Sequence, residues 1–110
     1  MYFVYLIRSE ISGEKVHKIG HTKRTPEQRI KEFKTGNASD FYIVDSFKSK
    51  WGTKIESSLH RLYKPKKISG EWFLLNDDEV KQFKSQCILL HKNFEIISTQ
   101  NTYYLDRDDF

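Results

Sequence analysis

The chain has 110 residues, of which 37% are hydrophobic and 15% aromatic, and this is enough for one domain with a buried core. A single cysteine, Cys87, excludes a disulfide framework within the chain and a multi-cysteine zinc module. The net charge is +4, but residues 1–70 hold 15 basic and 7 acidic side chains, whereas residues 71–110 hold 4 and 8. This split either favours a polyanionic partner for the first part of the chain or is an accidental asymmetry of a solvated surface.

The chain begins with an apolar run, Tyr-Phe-Val-Tyr-Leu-Ile at positions 2–7, which ends at Arg8. The run is too short to span a membrane and no signal-peptide cleavage pattern follows it, so we expect a cytoplasmic protein without a membrane segment. Its β-branched and aromatic side chains are typical of a buried strand. Residues 11–14 predict a turn and residues 15–20 alternate polar and apolar side chains, so this region predicts an antiparallel hairpin.

A first helix is predicted to begin at Thr25 and Pro26, because threonine can cap a helix and proline suits its first position. Gln28 completes a capping box with Thr25. Gly36 can adopt the left-handed conformation that ends a helix, so the helix should stop near this residue. The apolar face of this helix is expected to consist of Ile30 and Phe33.

Residues 41–47 predict a third strand, and residues 53–63 predict a second helix that ends before Pro65. The apolar face of the second helix is expected to consist of Ile55, Leu59 and Leu62, which are spaced i, i+4, i+7.

A turn at residues 69–70 is followed by residues 71–75, which predict a short strand or an extended segment. Asn76 or Asp77 can then cap a third helix. Its apolar stripe is expected to consist of Val80, Phe83, Cys87 and Leu90. We therefore assign Cys87 to packing rather than to nucleophilic chemistry.

The order of these elements, ββαβαα, predicts a small α+β domain with a three-stranded antiparallel sheet flanked by three helices. We assign residues 1–90 to this domain and residues 91–110 to a C-terminal extension. Within the extension, residues 94–97 allow a further strand, and residues 103–110 form an acidic, aromatic tail.

Polar and titratable side chains lie where the predicted elements begin or end, which is where functional groups concentrate. Taken singly, each has an ordinary interpretation as a core tyrosine, a surface cation or a solvated pair on a helix. The informative property is therefore their order along the chain. They are Tyr5 on the first strand, Lys18 and His21 at the end of the second, Arg29 on the first helix, and Glu56 with His60 on the second helix.

In this order the residues resemble the GIY-YIG nuclease superfamily. The first motif reads Phe3-Val4-Tyr5, without the family's glycine, and the second reads Lys18-Ile19-Gly20, with lysine where tyrosine is usual. The phage and viral branch with KIG as its second motif is similar, as are GIY-YIG restriction endonucleases that carry this lysine and a histidine three positions on. The resemblance extends over residues 2–90, includes the closing segment Gly70-Glu71-Trp72-Phe73, and implies a GIY-YIG-like fold.

The resemblance implies an endonuclease that hydrolyses phosphodiester bonds of DNA, with RNA as an alternative substrate. Tyr5 would then act as the general base or hold the attacking water, and Lys18 would supply a nearby cation. Arg29 would clamp the scissile phosphate. Glu56 would bind a divalent cation, Mg²⁺ or alternatively Mn²⁺, and His21 would assist proton transfer or orient the water.

Four further residues are candidates for contacts to nucleic acid. Lys23 and Arg24 would contact the backbone, Trp51 would either stack on a base or pack locally, and His60 would either support Glu56 or lie on the surface. Cleavage of both strands by one active site would favour a homodimer.

Two alternatives remain open on the sequence. The departures at Phe3 and Lys18 allow a catalytically degenerate module that binds nucleic acid through its basic residues alone. The acidic tail allows a protein that docks on a partner, or a tail that shields the basic face.

Overall fold

The computed structural model describes residues 1–33 and 41–100, and its α+β architecture confirms the predicted fold class. The predicted C-cap at Gly36 and the acidic tail lie outside the described residues. In the described part, β1 (Tyr2–Ile11), β2 (Glu14–Thr22), β3 (Tyr42–Ser49), β4 (Lys67–Ser69) and β5 (Trp72–Phe73) form one sheet. The helices are α1 (Pro26–Phe33), α2 (Gly52–Leu62), α3 (Asp77–Lys81) and α4 (Phe83–Gln100), and a 3₁₀ turn spans Lys64–Lys66.

The antiparallel sheet has five strands among the described residues, in the order β3-β1-β2-β5-β4, where the sequence predicted three. Strands β4 and β5 are only three and two residues long, so neither carries enough residues to show a period of two. The predicted hairpin is confirmed. Its turn places Ser12 and Gly13 at positive φ, as the tight turn of a two-residue hairpin requires.

The two faces of the sheet carry different helices, and direct partners on antiparallel strands share a face. Tyr5 and Ile7 lie on the face covered by α1, where they pack with Ile30. Leu6 and its partner Ile19 lie on the opposite face, within the larger core. That core also contains residues of α2 and α4, among them Ile55, Leu59, Phe83 and Cys87.

The apolar face of α2 differs from the prediction at its end. Leu62 is 52% exposed, so its assignment to the core was wrong, and Tyr63 is buried in its place. The buried stripe follows i, i+4, i+8 from Ile55 through Leu59 to Tyr63, whose ring packs 6.5 Å from that of Phe73. The larger ring at position 63 fills the space next to β5.

The C-terminal part of the described chain is helical. Asn76 caps α3, and its side chain forms a capping box with Glu79, as the sequence allowed. The prediction of a strand at residues 94–97 was wrong, because α4 continues through them and Phe94 packs against the core. The same helix crosses the predicted boundary at residue 90 without a break.

Cys87 is fully buried on α4, and burial raises the pKa of its thiol to about 12, so it has the inert character expected of a packing residue. Across residues 1–33 and 41–100, no helix has the length and apolar character needed to cross a membrane.

Candidate active site

Tyr5 and Gly20 form the centre of the site, where they are direct partners on β1 and β2. The side chain of Tyr5 is almost fully buried and lies across Gly20. A β-carbon at position 20 would overlap the hydroxyl oxygen and the ring of Tyr5, so a residue without a side chain is needed there. The glycine of the Lys18-Ile19-Gly20 motif therefore has a packing function, because it leaves room for the side chain of Tyr5 to cross β2.

The hydroxyl of Tyr5 is surrounded by charged groups. Burial raises its pKa above the usual tyrosine value, and the charges of Glu71 and Glu56 raise it further. A hydrogen bond with the side chain of Arg29 and the charge of that guanidinium lower it. In this state the phenol is held protonated, with a cation and two carboxylates within electrostatic range.

Arg29 is positioned by the start of α1. The predicted capping box is present, because the hydroxyl of Thr25 accepts from the N–H of Gln28 at 3.3 Å and the amide of Gln28 accepts from the N–H of Thr25 at 3.1 Å. Arg29 follows one residue later, and its guanidinium also pairs with Glu32. The side chain remains 36% exposed, so it lies between Tyr5 and solvent, where a ligand can reach it.

Lys18 lies on the same face of the sheet as Tyr5, since its direct partner is Ile7. Its ammonium group is 2.9 Å from a carboxylate oxygen of Glu71 and 5.7 Å from the centre of the Trp72 ring. The side chain is only 15% exposed. The cation is thus held in one place by an ion pair and an aromatic ring.

Glu56 reaches the site from α2, on the opposite face of the sheet. It is 8% exposed, and burial raises the pKa of its carboxyl, although a hydrogen bond to His21 and the charge of that imidazole lower it. Nδ1 of His21 contacts one carboxylate oxygen directly. The second oxygen is 3.5 Å from Nε2 of His60.

His60 is fixed by the backbone of β2. Its Nε2–H donates to the carbonyl oxygen of Ile19 at 2.8 Å, and its ring packs edge-on against Phe73 at 4.9 Å. Of the two roles that the sequence left open, the geometry favours the support of Glu56, because the ring is held beside that carboxylate.

Glu71 is the residue that the sequence reasoning did not assign to the site. Its backbone carbonyl accepts from the N–H of Ile19 at 3.1 Å, which places it beside β2 directly before Gly20. Its carboxylate pairs with Lys18, and its charge acts on both Tyr5 and Glu56. In the sequence, Glu71 stood out only as the acid of the Gly-Glu-Trp-Phe segment. The sequence did not show that this segment pairs with β2.

The predicted nucleic-acid contacts divide into two groups. Lys23 and Arg24 follow β2 and are exposed, Lys23 over the ring of Tyr2 at 5.6 Å and Arg24 in an ion pair with Glu32. Trp51 is buried instead, because its ring packs 5.9 Å from that of Phe94. Of its two possible roles the structure shows local packing, and its ring is not available to a base.

A divalent cation fits the oxygen chemistry of Glu56. Among the described residues no three His, Cys, Asp or Glu side chains form a ready-made metal cluster. Magnesium, however, is commonly bound through one or two carboxylates together with waters and substrate phosphates. The donor set therefore fits a cation that is held jointly by the protein and a phosphate ligand.

Comparison with known proteins identifies the domain type. Residues 2–88 match the T5orf172 domain. The chain belongs to this family. The T5orf172 domain is phage-associated and related to GIY-YIG and HNH-like nucleases, which indicates a nuclease-like or DNA-binding module. Here the T5orf172 match includes every residue of the site described above. Neither the curated proteins nor the solved structures gave a significant match.

Proposed function

We propose that this T5orf172 domain is a metal-dependent endonuclease of the GIY-YIG type that hydrolyses phosphodiester bonds of DNA. The observation that carries the proposal is the surroundings of the Tyr5 hydroxyl. It lies over Gly20, is hydrogen-bonded by Arg29, and is within electrostatic range of Glu56. Tyr5 and these three residues come from four different elements, and a purely structural tyrosine does not need both a guanidinium bonded to its hydroxyl and a carboxylate within electrostatic range.

Hydrolysis of a phosphodiester requires an activated water and the neutralisation of charge on the phosphoryl oxygens. Tyr5 serves as the general base or holds the water. An unperturbed tyrosine, with a pKa of about 10, is ionised in about one molecule in a thousand at pH 7, and burial makes the phenolate of Tyr5 rarer still. Its activation therefore depends on cations, which Arg29 and Lys18 supply.

Arg29 binds the scissile phosphate, because a guanidinium offers two parallel N–H donors to two phosphoryl oxygens. Its partial exposure leaves it accessible to a phosphate in front of Tyr5. The ammonium group of Lys18, on the same face of the sheet, stabilises the phenolate electrostatically. Glu71 holds the ammonium group of Lys18 on the tyrosine's face of the sheet.

Glu56 would hold the divalent cation, with Mg²⁺ as the first candidate and Mn²⁺ as a substitute. When bound, such a cation polarises a phosphoryl oxygen and stabilises the charge that develops there. His21 fixes the orientation of the Glu56 carboxylate and can move a proton at its exposed ring edge, and His60 supports the second carboxylate oxygen.

DNA is proposed as the substrate because Lys23 and Arg24 extend the cationic surface beyond the site. These residues would contact the phosphate backbone and position the strand without reading its sequence. A homodimer would place two such sites on the two strands of a duplex.

A second candidate function is a binding module without catalysis. It is favoured by the raised pKa of Tyr5, which keeps the phenol protonated. Such a module would bind nucleic acid with a steep salt dependence and without any need for divalent cations.

A cleavage assay separates the two candidates. Labelled double-stranded, single-stranded and branched DNA, and RNA of the same sequence, are incubated with the protein in Mg²⁺, Mn²⁺ or EDTA. The nuclease proposal predicts metal-dependent cleavage that Glu56→Gln abolishes and Glu27→Gln, a change at an exposed acid of α1, leaves intact. Tight binding without cleavage in either metal would establish the binding module instead.

A further inference from the structure

A concave surface lies at the other end of β2 from Gly20. It is a groove of about 870 Å³, and no residue of the candidate active site lines it. It is lined by the hairpin turn with the start of β2, by residues 65–68 and by residues 74–76. We refer to this surface as the hairpin groove.

The groove is built from backbone contacts rather than from flexible side chains alone. The N–H of Leu74 donates to the carbonyl oxygen of Lys66 at 2.8 Å, which joins two of the lining segments. The ammonium group of Lys66 is 2.6 Å from Glu79, which also forms the capping box with Asn76. The concave shape is therefore part of the fold.

The chemistry of the groove is cationic with an apolar lining. Among the described residues it contains three lysines, Lys15, Lys66 and Lys67, against the single acid Glu14. Lys66 is paired with Glu79, whereas Lys15 and Lys67 are exposed and make no ion pair within the described part of the chain. A surface that combines exposed ammonium groups with the exposed side chains of Ile68 and Leu74 complements phosphates joined by sugars.

The groove is separated from the active site along β2. Lys15 and Gly20 are five residues apart on this strand, which corresponds to about 17 Å at a rise of about 3.4 Å per residue. Lys15 lies on the face of the sheet that carries Ile19, whereas Lys18 lies on the face of Tyr5. The groove is therefore a contact surface of its own rather than a continuation of the site around Tyr5.

We propose that the hairpin groove binds the phosphate backbone of a nucleic acid at a second place, apart from the site at Gly20. The proposal rests on the proposed function for its choice of ligand, a nucleic acid. Lys15 and Lys67 provide the contacts, and these contacts position the strand without specifying its sequence.

The test is the salt dependence of binding to a 20-base-pair duplex, measured by fluorescence anisotropy in EDTA so that no cleavage occurs. The double variant Lys15→Gln/Lys67→Gln is compared with Lys81→Gln/Lys92→Gln, which makes the same charge change on exposed lysines of α3 and α4. We expect the first variant to weaken binding about tenfold or more and to reduce the slope of log K against log salt by about 2. The second should leave both quantities near those of the wild type.

Two outcomes overturn the proposal. Equal losses of DNA affinity in the two double variants would mean that the lysines act only through net charge. If the first double variant binds DNA as the wild type does but loses binding to an acidic peptide, the groove has a different ligand. Lys15→Arg/Lys67→Arg should restore DNA binding, which excludes misfolding as the cause. The outcome does not depend on cleavage, so the groove can fail while the nuclease stands, and the nuclease can fail while the groove stands.

Discussion

The side chain of Tyr5 occupies the space that a β-carbon on Gly20 would need. The two residues are direct partners across β1 and β2, and the hydroxyl and ring atoms of the tyrosine come closest to position 20. This contact explains why a glycine and a tyrosine fifteen positions apart belong to one site. Even the methyl group of an alanine at position 20 would overlap the tyrosine.

We expect Gly20→Ala to displace Tyr5 and to abolish cleavage. The overlap should also lower the free energy of unfolding by about 1–3 kcal/mol, the usual cost of overpacking a buried site. Gly13→Ala is the matched control, because position 13 has open space but a positive φ, so it loses stability without disturbing the site. Chemical denaturation and a cleavage assay on both variants check the expectation, and full activity in Gly20→Ala would contradict it.

Glu71 is expected to act as a positioning residue for Lys18. Glu71→Gln removes the ion pair at 2.9 Å and should reduce the cleavage rate roughly tenfold, as is typical when a group that orients a functional side chain is lost. It also removes a charge that raises the pKa of Tyr5, so the pH–rate profile should move to lower pH. A merely structural residue would not move that profile. Glu27→Gln, on the exposed surface of α1, should leave rate and profile unchanged.

His17 should make the fold sensitive to mild acid. Burial is the main cause that lowers the pKa of this histidine, followed by the charges of Arg8 and Lys15, with Asp77 acting in the opposite direction. Its Nδ1 also has no hydrogen-bond partner among the described residues. Because the folded pKa lies below the unfolded value of about 6.5, the neutral imidazole is favoured on folding, and stability is lost as pH falls through and below that value.

We therefore expect the free energy of unfolding to decrease between pH 7 and pH 5 in the wild type, and to decrease less in His17→Leu. Each unit by which the pKa is lowered corresponds to about 1.4 kcal/mol. Urea denaturation of both proteins across this range measures the difference. Parallel pH profiles would show that His17 is not the group responsible.

The end of α4 should contribute to the stability of the whole fold. Phe94 packs against Trp51 at 5.9 Å, so a chain that ends at Leu90 loses this pair and a chain that ends at Gln100 keeps it. We expect the shorter chain to be less stable by at least about 1 kcal/mol, the typical value of an aromatic pair. Thermal unfolding of the two truncated chains tests this, and equal midpoints would contradict it and favour residue 90 as the domain boundary.

The elements with strong local signals were predictable from the sequence. The capping residues at Thr25 and Asn76 and the alternation of the hairpin each depend on neighbouring residues, and all three are present. The elements that depend on distant contacts were not predictable. Strand β5 has two residues and exists because it pairs with β2, and residues 94–97 are helical because Phe94 completes the core around Trp51.

The same division applies to the candidate site. The candidate residues were selected through their order along the chain, and in the structure Arg29 hydrogen-bonds Tyr5 while Glu56 is within electrostatic range of it. The sequence did not show that Glu71 holds Lys18, because the ion pair depends on the register between β5 and β2. Nor did it show that Trp51 is buried, since the helix that covers it lies more than thirty residues further along the chain.

If Tyr5 acts on a phosphodiester, its hydroxyl should control the single-turnover rate of plasmid nicking in Mg²⁺ at saturating protein. We expect Tyr5→Phe to lower this rate at least about 100-fold, the usual contribution of a general base, without loss of DNA binding. Tyr42→Phe removes the same hydroxyl from an exposed tyrosine of β3 and should match the wild type. Equal nicking rates in the two variants, or no metal-dependent nicking by the wild type while it binds the plasmid, would show that Tyr5 does not act on the phosphodiester.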